Sequence, residues 1–184
     1  MAALVRFARA FGLAVLLFPV GLATHEVMHL VVYSALGVRA ALLVTSWRLG
    51  SLGVPIFGLH SAPLGPDAVP LPVLVLNNGL GPMLAAALLA VLLASIDRRS
   101  RAAKAALLAN VLALVFFACI EMAYPLLEEV GHMNADVLLL PELNYGAVLL
   151  IMLVTTFLAT WRRGGPRLRL APVRRGHGVP TNTA

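Results

Sequence analysis

Charge is scarce in this chain. Asp, Glu, Lys and Arg make up 12% of its 184 residues, and only eight residues are acidic, whereas an average soluble domain is about 25% charged. With 60% hydrophobic residues and a mean hydropathy of +0.91, the composition excludes a disordered chain and argues against a water-soluble globule. Cysteine is almost missing too. The single Cys119 excludes an intramolecular disulfide and a Cys-based zinc knuckle, so any metal site must use His, Asp or Glu. The net charge of +6 would suggest nucleic acid only if it formed a polar, aromatic-interleaved face. Here the basic residues flank apolar runs, which is a membrane pattern, and no nucleic-acid partner is expected.

What the chain has instead is long apolar runs. A spanning helix needs about 20 mostly apolar residues, and four stretches meet or approach that length: about residues 11–36, 71–96, 105–124 and 145–161. Gly37 ends the first, Asp97-Arg98-Arg99 closes the second, and Pro125 is expected to stop the third, because a proline disfavours helix at the preceding residue. Tyr145 and Trp161 frame the fourth, as headgroup-level aromatic residues do. The predicted fold is therefore an all-α integral membrane protein of about four transmembrane helices.

Basic residues set the orientation. Arg6 and Arg9 precede the first span; Arg98, Arg99, Arg101 and Lys104 separate the second and third; six arginines from Arg162 to Arg175 follow the fourth. Only Arg39 and Arg48 lie between the first and second spans, so both termini are expected in the cytoplasm. The start also imitates a signal peptide, but its apolar run continues to Leu36, well beyond the usual 7–15 residues of such a segment. Between the first two spans, residues 38–72 are punctuated by Gly and Pro, which predicts a short hairpin or re-entrant segment. Residues 1–162 read as one polytopic domain, and 163–184 as a basic, disordered tail attracted to lipid.

The first span contains His25-Glu26-Val27-Met28-His29, an H-E-x-x-H motif. On a helix, residues at i and i+4 share a face one turn apart, so both imidazoles can meet one ion. Glu26 is offset by one position, where it can serve as a base toward water rather than as a ligand. Zinc suits this donor set, since a catalytic site uses three protein ligands and keeps one place open. Ionisable groups in an apolar helix are costly unless paired, ligated or hydrated; a hydrogen-bonded polar cluster between helices is the alternative.

This sequence resembles the site-2 protease family of intramembrane zinc metalloproteases. The resemblance rests on the His25-Glu26-x-x-His29 motif, the Ser34-Ala35-Leu36-Gly37-Val38 ending, the Gly/Pro-rich hairpin-like segment, and Asn78-Gly79-Leu80-Gly81-Pro82 at the next span, together about residues 10–95. It implies hydrolysis of membrane-anchored protein substrates in or next to the lipid bilayer, one zinc ion on His25 and His29, and Glu26 as catalytic base. The family's third ligand is an aspartate, usually in an Asp-Gly pair, which this chain lacks. Asp136, leading into the apolar Val137-Leu138-Leu139-Leu140, is the expected third ligand, with His132 the runner-up. Glu121, near the end of the third span, is a weaker candidate to line the site. Asn77 and Asn78 are candidates to hold substrate or an oxyanion, against an interhelical hydrogen bond. His60 and His177 read as solvated. If the Trp47 region is a strand, an extended substrate can pair with its edge. A membrane metal-binding or metal-transport protein, or an inactive scaffold of the same fold, are the competing functions.

Overall fold

The computed structural model describes residues 1–49, 54–65, 69–97, 100–131 and 140–161. Four helices dominate it: α1 (Ala2–Ala35), α2 (Leu71–Ser95), α3 (Arg101–Glu129) and α4 (Pro141–Trp161). Between α1 and α2 lies an antiparallel hairpin of β1 (Ala40–Leu49) and β2 (Val54–Pro63), in register from Ala40 opposite Pro63 to Leu49 opposite Val54. All four helices are long and apolar enough to cross a membrane, which is the make-up of a multi-pass membrane protein.

Burial supports the same conclusion. The interior is built largely from small side chains, including Ala14, Ala85, Ala106, Ala109 and Ala113, while Leu16, Val20, Val91, Leu92 and Leu150 face outward. Small residues let helix backbones approach closely where no hydrophobic force acts between helices, and large apolar residues suit a lipid-facing surface. α1 and α3 each pack against both other helices and so form the centre. Phe117 of α3, Val148 and Met152 of α4 and Ala14 of α1 share one buried cluster. Asn110 of α3 joins it by donating through Nδ2 to the Ala14 carbonyl at 3.0 Å. The hairpin packs against α1.

Helices α3 and α4 start four residues before the expected spans, at Arg101 and Pro141, and two other helix ends differ further from the sequence expectation. α1 begins at Ala2 rather than near Phe11, because the apolar periodicity tolerates Arg6 and Arg9, whose long side chains reach out to the surface. α3 does not stop at Pro125 but continues to Glu129. Pro125 has no N–H for the carbonyl four residues back, that of Glu121. Asn78 of α2 supplies the missing donor, its Nδ2 lying 2.9 Å from that carbonyl. Helices in membranes pass through prolines when a neighbour satisfies the freed group in this way.

Candidate metal centre

His25 and His29, one turn apart on α1, are 2% and 4% exposed. Their Nε2 atoms lie 2.6 Å apart, and Glu121 of α3 brings Oε2 to 3.2 Å from the first and 3.1 Å from the second. Phe117 stacks on the His25 ring at 5.8 Å between centroids. The three donor atoms, from two helices, converge on one point. By residue count the cluster lies about 15 Å from the end of α1, 12 Å from the end of α3 and 9 Å (at Asn77) from the start of α2. It therefore sits in the third of the bundle that carries the hairpin.

α2 supplies the support. Its Asn77 amide lies 2.9 Å from His29 Nδ1, and its Gly81 lets the backbone come against the His29 ring, where an added Cβ would stand only 2.5 Å from Nδ1. With Nδ2 toward His29, Asn77 Oδ1 is buried without a partner. Turning the amide over lets Oδ1 accept from His29 Nδ1–H, an equally compatible assignment because amide O and N are placed by their hydrogen bonds. In that arrangement the Nε2 lone pair of His29 points at His25 and Glu121. Two imidazole nitrogens and a carboxylate oxygen converge on one buried point, so the donor set fits a metal ion. His25 Nδ1 finds no partner among the described residues.

Glu26 points elsewhere. Its Oε2 accepts a hydrogen bond from the backbone N–H of Ser61 in β2, at 2.8 Å, so that N–H faces α1 and not β1. A cavity of about 630 Å³ opens beside it, lined among others by Glu26, His29, Ser61, Asn77, Asn78 and Glu121. His60, read from the sequence as a solvated loop residue, stands in β2 on the wall of this cavity.

The structure thus brings together His25, His29, Glu26, Asn77 and Asn78. Both asparagines make interhelical hydrogen bonds, to His29 and to the Glu121 carbonyl, which is the alternative weighed against a substrate- or oxyanion-holding role. Asp136 and His132 lie outside the described residues. Glu121 is the residue that sequence reasoning undervalued. A lone carboxylate within an apolar span is itself a signal, but taking Pro125 as a helix stop set Glu121 near the end of its span and left it only a weaker candidate to line the site. No family model, curated protein or solved structure matches the chain.

Proposed function

We propose that this chain is an intramembrane zinc metallopeptidase of the site-2 protease kind, hydrolysing peptide bonds of membrane-anchored proteins. The observation that carries the reading is the convergence of His25, His29 and Glu121 at the edge of a cavity that Glu26 also lines. His25 and His29 hold the metal, with Glu121 as the third donor and Asp136 as its competitor for that place. When bound, zinc polarises a carbonyl and lowers the pKa of water toward neutrality.

This chain's own residues do the rest. Glu26, on the wall of the cavity that His29 and Glu121 also line, takes the proton of the attacking water and returns one to the leaving amine, the role of a general base. Asn77 holds the His29 ring in orientation, and Asn78 holds the stretch of α3 that presents Glu121. The α1-facing edge of β2 offers backbone groups to a substrate that has left its helical state, in the manner of strand addition. The Ser61 N–H of that edge is engaged by Glu26. The distribution of Lys and Arg supports both termini in the cytoplasm and the hairpin end, with the site, on the opposite side.

Purified full-length protein tests this by its zinc content and by cleavage of a single-span substrate, beside Glu26→Gln. Wild type binding one zinc and cleaving, with Glu26→Gln retaining zinc and losing cleavage, is the expected result. Unchanged cleavage by Glu26→Gln would refute the base. Zinc without cleavage in the wild type would favour a metal carrier or an inactive scaffold, and a zinc-free wild type would end both metal readings.

A further inference from the structure

At the other end of the bundle, about 30 Å along α3 from Glu121, a cavity of about 400 Å³ is lined by Arg6 and Arg9 of α1, Ser100 and Arg101 at the start of α3, and Thr160 of α4. Arg6 and Arg9 are three residues apart and so lie on the same face of α1. Three arginines from two helices thus line one concavity. The orientation of a membrane protein depends on how many basic residues lie on each side, not on their convergence, so topology alone does not account for the arrangement.

We propose that this cavity is a phosphate-binding site, built to hold the phosphate of an anionic phospholipid. Arginine forks bind phosphate oxygens in a bidentate way that a scattered charge does not. The first turn of α3 lines the same cavity, contains no acidic residue, and has no side-chain cap from Ser100. Its leading N–H groups therefore add to the positive field of the arginines. Leu13 gives the cavity an apolar floor, which suits a phosphate attached to acyl chains. The site is about one hydrocarbon thickness from the Glu121 level, which puts it at the headgroup layer of a core roughly 30 Å thick. Basic pockets between spanning helices are where anionic headgroups are recognised.

The test uses the full chain in neutral detergent, with bound lipid counted by native mass spectrometry. The probes are dioleoylphosphatidylglycerol, dioleoylphosphatidylcholine and inorganic phosphate. Wild type should retain phosphatidylglycerol over phosphatidylcholine, and Arg6→Gln/Arg9→Gln/Arg101→Gln should reduce that retention by about tenfold or more, given the strength of charge-assisted bonds. Arg39→Gln, outside the cavity, should retain it as wild type does. Millimolar inorganic phosphate separates the sources: phosphatidylglycerol that resists displacement marks a lipid site, whereas its displacement, with phosphate alone raising the unfolding temperature, marks a site for the free anion. Equal retention of the two lipids by the wild type, or equal phosphatidylglycerol retention by wild type and the triple variant, would overturn the proposal. The wild-type comparison stands even if the triple variant does not fold.

Discussion

Gly81→Ala isolates the contact on which the proposed centre depends. In a helix interior alanine is more favourable than glycine by about 0.5–1 kcal/mol, so the backbone term predicts a gain. Against it stands the His29 ring: the new Cβ would lie 2.5 Å from Nδ1, 2.7 Å from Cε1 and 2.8 Å from Cγ. Ordinary contacts between carbon atoms begin near 3.5 Å, so the ring must retreat by about 1 Å. It cannot do so freely, because Asn77 engages Nδ1 while His25 and Glu121 engage Nε2. Overpacking of this kind costs about 1–3 kcal/mol, which outweighs or cancels the helical gain. Misorienting a metal-binding histidine lowers affinity by about 10- to 100-fold. Zinc retention against a series of chelators and thermal unfolding measure the two effects. Gly146→Ala, with nothing within 4 Å of the added Cβ, and Gly21→Ala, whose nearest atom is at 3.6 Å, carry the same backbone term and serve as controls. If Gly81→Ala matched Gly146→Ala in both unfolding temperature and zinc affinity, the argument from the close approach of α2 would be wrong.

Glu121→Gln should lower zinc affinity by more than the roughly 100-fold that loss of a supporting residue costs, while Asp136→Asn leaves it near wild type; equilibrium dialysis reads both, and the opposite order would make Asp136 the third donor. Asn77→Ala should weaken zinc binding by about 10- to 100-fold, and Asn77→Asp should restore it, since a carboxylate can accept from His29 Nδ1–H but cannot donate to it; failure of the aspartate to rescue would reverse the assigned amide orientation. Asn78→Ala should cost about 1–3 kcal/mol by leaving the Glu121 carbonyl unpaired. That penalty should shrink in a Pro125→Ala background, where a backbone N–H returns, and an equal penalty in both backgrounds, measured by thermal unfolding, would sink the Pro125–Asn78 account.

Much of this protein is legible one residue at a time. Apolar runs interrupted by Gly37, by Asp97 and its neighbours, and by Pro70 mark the helices, because a bilayer requires length and apolarity that no other arrangement supplies. The i, i+4 spacing of His25 and His29 places them on one face without reference to any partner, since helix geometry is local. Gly and Pro punctuation between the first two spans marks the turn-rich segment that folds into β1 and β2.

Helix ends and helix partners are another matter. Pro125 carries a local signal to stop, yet α3 continues, because the donor that permits it comes from Asn78, 43 positions distant in sequence. The same tertiary event turns Glu121 from a weaker site candidate into a partner of two histidines. Nor does anything near His29 in sequence announce that Asn77 engages its ring or that Gly81 makes room for it. The sequence by itself determined the membrane, the helices and the two-histidine face, all consequences of local geometry and of transfer from water. Only the packing of α2 and α3 against α1 decided which carboxylate, which amide and which glycine complete the centre, because those contacts are set by how close helix backbones approach, and that distance is not written along any one helix.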